Sequence, residues 1–283
     1  MAPTYPIPID HGVATSISNS SWTVVTLDYS FSSPVVIATP SYASTDPPLV
    51  ARIRNSSGSS FELRVGRADG SATSISGIDV HWIAIEAGVY DSATYGVKME
   101  AATYSSTVTD SDSSWVGQSQ SYSNSYTSPV VIGQVMTYAD SDWTVFWAMG
   151  SSVTAPPDSS NLITGKHVGE DSDTTRLNET IGYIVMESGS GSFGEISFEV
   201  GVGADVVQGW DDSPPYTYSH SLSGATTVVL SSAAMDDPNG GWPILHKPSP
   251  ISSNDFDLVF QEDAQADSEL AHTTEQVAYL VLD

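Results

Sequence analysis

Three stretches of nine residues carry apolar side chains at both odd and even positions, and they share one pattern. Each has an aromatic residue at its centre, aliphatic residues around it and a carboxylate at its end: Ile78–Glu86, Glu179–Glu187 and residues 275–283. Alternate side chains of a strand point to opposite faces, so a strand apolar at both parities must be covered on both faces. One cover is the core of the strand's own sandwich. We expect a neighbouring module or another subunit to supply the second.

These closing strands carry the candidate interface residues. They are the central aromatic residues with two neighbours on the same strands: His81, Trp82, Tyr183, Ala278 and Tyr279. A place in the core of its own module is the alternative for Trp82 and for His81.

The closing strand recurs at intervals of about 100 residues, which is the size of a domain rather than of a solenoid repeat. A second element recurs with it, as residues 33–37 and 128–132 and more loosely as residues 226–230. The repeat predicts three modules, which we call module one (residues 1–90), module two (91–190) and module three (191–283).

Between the closing strands, short strands alternate with turn signals. In module one, Val25, Leu27, Tyr29 and Phe31 alternate with polar residues, which is typical of a half-buried strand. Clusters of Gly, Asn, Asp and Ser follow at short intervals, and no segment shows a helical period with caps. The pattern predicts an all-β fold of three tandem antiparallel β-sandwich modules.

The charge of the chain excludes some classes of partner. Thirty-four acidic residues and eight basic residues give a net charge of -26. Such a field repels nucleic acid and anionic membrane surfaces, so neither is expected as a partner. An acidic surface with an intact apolar composition indicates adaptation to high salt, where self-repulsion is screened. The chain has no cysteine, which excludes disulfides and thiolate chemistry. Its first residues lack the basic and apolar regions of a secretory signal.

Several short stretches of module one resemble the H-type lectin domain family. The resemblance is carried by residues 34–37, by residues 51–53 leading to Phe61, and by residues 80–86. It implies six-stranded sandwiches that trimerise with their closing strands near a three-fold axis, as in phage tail fibres and bacterial adhesins. It also implies a homo-oligomer, with a trimer favoured. Its partners would be other virion proteins and a glycan or glycoprotein of the host surface.

The resemblance does not extend to the family's sugar-binding residues. This chain has Pro48 where the family has an arginine, and Ala68 and Asp69 where it has a Trp-His pair. We therefore expect the ligand in the loops of modules two and three that follow the second repeated strand. The candidate ligand-binding residues combine aromatic stacking with hydrogen-bond acceptors: Trp143, Asp236, Asp237, Asn239 and Trp242.

Catalytic and metal signatures are weak in the sequence. The chain has no nucleophile-elbow motif, and its six histidines show no metal-ligand spacing on one element, so we predict no enzyme and no cofactor. The acidic loops at residues 140–142 and 236–240 have the oxygen ligands that Ca²⁺ and other salt cations prefer, and solvated loops are the alternative.

The sequence favours a virion surface protein, such as a tail fibre, spike or capsid turret, that recognises a host surface. A particle-coating protein without a host ligand is one alternative. A secreted lectin or adhesin is another.

The net charge predicts that stability rises with salt. The melting temperature should increase from about 0.1 M KCl, where the Debye length is near 10 Å, to several molar, where it is below about 3 Å. Calorimetry across this range measures the effect. A melting temperature that stays flat or falls would contradict adaptation to salt.

Overall fold

A computed structural model describes residues 7–247 and 249–283. The protein is nearly all β, with 51% of its residues in strands and 3% in helices, which confirms the all-β part of the predicted fold class. In residues 7–247 and 249–283, the two short helical pieces are a four-residue turn, α1 (Ser92–Tyr95), and a 3₁₀ turn at Trp210–Asp212. The Asp91 side chain caps α1 by accepting a hydrogen bond from Thr94 N.

The first five strands of the described chain lie in module one, and the fourth reverses within itself. They are β1 (Ile9–Ile17), β2 (Thr23–Phe31), β3 (Pro34–Tyr42), β4 (Leu49–Arg67) and β5 (Ile78–Glu86). Asn55 and Gly58 have φ angles of 52° and 59°, the left-handed conformation that tight turns require. The two halves of β4 then lie side by side. Arg54 Nε in the first half donates a hydrogen bond to the Glu62 carboxylate in the second. The backbone therefore turns back within β4, at residues 55–58.

Among the described residues, fourteen further strands follow, the first at the end of module one and the others in modules two and three. Those of module two and its border are β6 (Gly88–Tyr90), β7 (Met99–Ser106), β8 (Gln118–Ser119), β9 (Pro129–Val135), β10 (Val145–Met149), β11 (Ile163–His167) and β12 (Glu179–Glu187). Those that follow are β13 (Gly189–Phe193), β14 (Ile196–Val202), β15 (Tyr216–Ser219), β16 (Thr227–Ser232), β17 (Trp242–His246), β18 (Asp255–Gln261) and β19 (Val277–Leu282).

The strands of the described residues form four sheets, and the two largest sheets cross module boundaries. Their orders are β1-β5-β3-β17-β18-β15, β13-β14-β19-β16-β10-β11-β8, β6-β7-β12-β9 and β2-β4. Both crossings are parallel pairings at the end of a repeated strand: β3 joins β17 at Ser41 and Tyr42, and β16 joins β10 at Ser232. Modules one and two are thus each bonded through the backbone to module three.

One face of each closing strand packs into a core built largely from its own module. Trp82 packs edge-on against Phe61, with ring centroids 5.4 Å apart. Tyr183 lies in a second core with Ile181 and Val185, and Tyr279 packs against a third. Trp82, Tyr183 and Tyr279 therefore pack mainly within their own modules, as the core alternative for Trp82 expected, and their role at a subunit interface stays a prediction. Their large rings fill the space between the sheets of their own modules.

The opposite faces of the three closing strands meet in one shared core, which we call the central core. It contains Ile83 and Ile85 of β5, Ile184 and Met186 of β12, and Ala278, Leu280 and Leu282 of β19. The second cover that the sequence demanded is therefore supplied by the other two modules of the same chain. Ala278, at 0% exposure, lies in this core, where residues of all three modules meet. A homo-oligomer is not needed for this cover and stays a prediction.

A cyclic set of hydrogen bonds joins the three repeated strands β3, β9 and β16. Ala38 N donates to Gln134 Oε1 at 3.4 Å, and Gly133 N donates to Ser231 Oγ at 3.0 Å. Leu230 N closes the cycle by donating to Thr39 Oγ1 at 2.8 Å.

Strand pairing shows that the members of this cycle hold equivalent positions. Ile37 is opposite Ile83, Ile132 is opposite Ile184 and Val229 is opposite Leu280. In each repeated strand, the residue after Ile37, Ile132 or Val229 donates its backbone N–H to the cycle. The residue after that donor accepts through its side chain. The three strands are therefore used in the same way, each giving one N–H to a side chain of the next module.

The same pairing corrects the third copy of the repeat. Pro34 pairs with Glu86 and Pro129 with Glu187, whereas the partner of the penultimate residue Leu282 is Thr227. Thr226, and not Thr227, therefore holds the proline position, so the predicted match of residues 226–230 to residues 33–37 is wrong by one residue. Consecutive Val228 and Val229 hide this shift, because both parities of the strand are apolar.

Loss of a central-core side chain should destabilise the whole protein. Ile184 is 2% exposed, and Ile184→Ala should cost about 2–5 kcal/mol of unfolding free energy because it leaves a cavity where three modules meet. Val24, on β2, is 63% exposed, and Val24→Ala should change stability by no more than about 0.5 kcal/mol. Denaturant unfolding in high salt compares the two. A loss below about 1 kcal/mol for Ile184→Ala would show that this face is not packed.

Candidate functional site

Five of the eight basic residues lie in one region, although the chain is strongly acidic. Arg52, Arg54, Arg64 and Arg67 come from the two halves of β4, and Arg176 reaches the same region from module two. Residues two apart on a strand share a face, and Arg52 lies across the hairpin from Arg64 beside Gly66. The local alternation of β4 therefore places three arginines side by side.

Two aromatic rings lie between these arginines. The guanidinium groups of Arg54 and Arg64 lie 4.2 and 4.9 Å from the ring centre of Trp22. Those of Arg52 and Arg64 each lie 4.7 Å from the ring centre of Tyr138. Arg64 is thus held between two rings, and its Nη2 also donates to Tyr138 Oη at 2.6 Å. Stacking of this kind fixes a guanidinium group while leaving part of its edge for other partners.

A cleft of about 260 Å³ opens beside this stack, and we call it the arginine cleft. Residues of all three modules line it: Asn19, Arg52, Arg64, Gly66, Arg67, Gly70 and Ser71 from module one, Ser141, Asp142, Trp143 and Asp171 from module two, and Gln265 from module three. Most of these side chains are hydrogen-bonding groups. The cleft is therefore a polar site at the place where the modules meet.

The three arginines that line the cleft have different roles. Arg52 is 2% exposed and donates to the carbonyl oxygens of Asp140, Ser141 and Asp142, so it holds the module-two loop against β4. Burial lowers the pKa of Arg52 to about 10, and the nearby Tyr138, Glu179 and Asp140 act in the opposite direction. Arg67 is occupied by an ion pair with Asp69.

Arg64 retains donors that the protein does not use. Its buried Nε has no hydrogen-bond partner among the described residues. A buried guanidinium N–H without an acceptor is costly. Arg64 also lines the cleft, so the remaining N–H groups of its guanidinium are the candidates to receive an acceptor from a ligand.

The two predicted ligand-binding tryptophans are buried. Trp143 is 4% exposed and Trp242 is 3% exposed, and their ring centres lie 5.2 Å apart. Trp242 Nε1 donates to Leu49 O at 3.0 Å, which ties module three to the start of β4. Neither ring is therefore exposed as an aromatic platform for a ligand, because the loop that carries Trp143 and the start of β17 that carries Trp242 are covered by neighbouring modules. Trp143 nevertheless lines the arginine cleft, and its Nε1 has no partner within the described part of the chain.

Asp236, Asp237 and Asn239 lie elsewhere, in the loop between β16 and β17, and do not line the arginine cleft. The backbone N–H groups of Asp236 and Asp237 both donate to Glu275 Oε1. The Asp237 carboxylate accepts hydrogen bonds from Asn239 N and Thr273 N. The structure therefore separates the five predicted ligand-binding residues into two places.

The sequence analysis missed the arginines as a group. The signal was present in the chain, because four of only eight basic residues fall between positions 52 and 67. Alternation of Arg52 and Arg54 with the apolar Ala51 and Ile53 indicates a strand with one basic face. Nothing local indicates that residues 138–143 of module two cover that face.

The chain matches no protein-family model, no curated protein and no solved structure. None of the helices in the described residues is long and apolar enough to cross a membrane.

His81 lies between modules one and three, as an interface residue should. Val228 N donates to His81 Nδ1 at 3.3 Å, and the histidine is 5% exposed. Burial lowers the pKa of His81 to about 4, Lys247 acts in the same direction, and Asp79 opposes them. His81 is therefore neutral at pH 7 and accepts a backbone hydrogen bond in that form.

Acid should weaken the junction that His81 forms. Its folded pKa of about 4 lies below the ordinary value of 6.5, so its contribution is complete above pH 6.5 and is lost as the pH falls toward 4. The size of this contribution is about 3 kcal/mol. His81→Asn keeps an acceptor for Val228 N but does not titrate, so the stability difference between wild type and variant should shrink between pH 7 and pH 4. Parallel pH profiles from chemical denaturation would refute this role.

Proposed function

We propose that this protein is a recognition protein which binds an acidic sugar residue of a surface glycan in the arginine cleft. The observation that carries the proposal is the gathering of guanidinium groups around one polar cleft, in a protein whose net charge is -26. A guanidinium group pairs with carboxylate and sulfate in two-pronged hydrogen bonds, which a sugar acid offers.

The charge of the rest of the protein limits the ligand. A long polyanion would meet repulsion from the acidic surface outside the cleft, whereas one acidic group on an otherwise neutral glycan would not. Common ligand pockets have volumes of about 300–1,000 Å³. The arginine cleft, at about 260 Å³, is slightly smaller, and this size suits a single sugar unit. Asn19, Ser71 and Gln265 offer partners for its hydroxyl groups.

The setting that we propose is the surface of a virus particle, as part of a tail fibre, spike or capsid turret that attaches to a host. The proposed fold is three lectin-like β-sandwiches in one chain. The resemblance of residues 34–37, 51–53 and 80–86 to H-type lectin domains supports it. Other virion proteins and a host glycan or glycoprotein would then be the partners, and a homo-oligomer, with a trimer favoured, is part of the same proposal.

One observation favours a second candidate, a protein that coats a particle and binds no host ligand. Trp143 and Trp242, the aromatic residues best suited to a sugar platform, fasten modules together and are 4% and 3% exposed. A protein selected only for a rigid and acidic exterior would use its aromatic residues in this way.

A binding experiment with matched sugars tests the first candidate. Glucuronic acid, galacturonic acid and sulfated galactose are titrated against their neutral counterparts by calorimetry in high salt. We expect binding of at least one acidic sugar, and Arg64→Gln should weaken it at least about tenfold, which corresponds to about 1.4 kcal/mol.

Arg54→Gln is the matched control. Arg54 stacks on the same Trp22 ring but does not line the cleft, so this variant should bind like the parent. Melting temperatures of both variants exclude a general loss of folding. If no acidic sugar binds, or if Arg54→Gln and Arg64→Gln reduce binding equally, the coating protein becomes the better reading.

A further inference from the structure

Three side chains with metal-ligand chemistry converge in module three, away from the arginine cleft. Asp237 follows β16, Glu262 follows β18, and His272 lies in the connection that leads to β19. One ligand atom from each lies within 4.8 Å of the others. They come from three separate segments, so their convergence depends on the fold and not on sequence spacing.

The protonation of His272 is fixed by its surroundings. His272 Nδ1 lies 2.8 Å from Thr273 O, and because a carbonyl oxygen only accepts, Nδ1 must carry the proton. The lone pair is then on Nε2, which lies 3.5 Å from Glu262 Oε1. Histidines that bind metals show this arrangement, with the other ring N–H donated to a carbonyl or carboxylate.

Both of the facing atoms are buried and lack a hydrogen-bond partner. His272 and Glu262 are each 3% exposed, and neither His272 Nε2 nor Glu262 Oε1 has a partner among the described residues. Unsatisfied buried polar atoms are rare in folded proteins, and an ion is one of the established explanations for them.

The carboxylates around His272 are held in place by the backbone. Asp237 accepts from Asn239 N at 3.1 Å and from Thr273 N at 2.9 Å. Glu275 accepts from the N–H groups of Asp236 and Asp237, and its Oε2 is buried without a partner in the described residues. Supporting bonds of this kind orient the first ligands of a metal site.

The carboxyl groups of this cluster also favour a bound cation. Glu262 is buried beside Asp237, the second acidic side chain of the cluster. In the described parts of the chain, Glu262 faces the neutral His272 Nε2 and forms no ion pair with a lysine or arginine. Buried carboxylates without a partner are costly, and a divalent ion would remove that cost.

We propose that Asp237, Glu262 and His272 bind one divalent transition-metal ion of the Zn²⁺ class. A neutral imidazole with two carboxylates is a ligand set for Zn²⁺ and its transition-metal neighbours, whereas Ca²⁺ and Mg²⁺ prefer oxygen ligands alone. A water molecule completes a tetrahedral shell. The ion fastens the connection between β18 and β19 to the loop after β16. This proposal does not depend on the arginine cleft.

Metal binding by the full chain tests the proposal. The chain is treated with a chelator and titrated with Zn²⁺ in about 1 M KCl, where the Debye length of about 3 Å suppresses attraction to surface carboxylates. We expect one ion per chain by native mass spectrometry, a higher melting temperature with Zn²⁺, and at least about a tenfold loss of affinity in Glu262→Gln and in His272→Gln.

Two control variants separate this site from the general acidity of the chain. Glu195 is exposed, and His246 is half-buried against Trp210, so Glu195→Gln and His246→Gln should bind Zn²⁺ like the parent. Where a ligand variant fails to fold, the visible spectrum of the Co²⁺-loaded wild type decides, since nitrogen and oxygen ligands in a tetrahedral shell give a strong absorption band.

Several results would overturn the proposal. One is Zn²⁺ binding at many sites with no loss in Glu262→Gln or His272→Gln. Another is binding of Ca²⁺ but not Zn²⁺. A third is the absence of both Zn²⁺ binding and a Co²⁺ band, in which case a proton shared between Glu262 and His272 takes the place of the ion.

Discussion

Three buried backbone N–H groups, at Ala38, Gly133 and Leu230, hold the architecture together. Each lies on a strand whose other edge is already paired with a closing strand, and each donates to a side chain of a different module. A buried N–H without an acceptor costs about 1–3 kcal/mol, so no module can be removed without leaving such a group unpaired in its neighbour. The central core adds apolar burial to the same junction. The modules are therefore parts of one folding unit, whatever their independence in sequence.

The patterns that depend on one strand at a time could be predicted. Apolar residues at both parities of the closing strands require two covers, and the structure supplies both. The all-β class and the turn within β4 follow from the same kind of local information. The third repeat shows the limit of this reasoning. Val228 and Val229 are both apolar, so periodicity cannot decide between two registers, and only the pairing with β19 fixes which of them faces the central core.

The features that depend on contacts between modules could not be predicted from local pattern. Trp143 and Trp242 lie beside Asp, Asn and Gly residues, which are typical of solvated loops, yet each ring is covered by a segment distant in sequence. The parallel joins of β3 to β17 and of β16 to β10 link strands that no repeat aligns. For the arginine cleft, the sequence of β4 indicates a strand with one basic face. It does not indicate that Arg52 binds the module-two loop at residues 140–142.

Three modules in one chain also free the molecule from exact symmetry. A ring of identical subunits must repeat every side chain three times, so a residue that suits one position has to suit all three. Here the equivalent positions are Thr39, Gln134 and Ser231. Each accepts a backbone N–H from another module, although the three side chains differ in length. Where His81 and Ala278 have side chains, the equivalent residue is Gly182, because a Cβ there would overlap Met136 Sδ and press on Val35. One polypeptide can thus have the arginine cleft at one junction between modules and a carboxylate-histidine cluster in one module, without repeating either of them in the other modules.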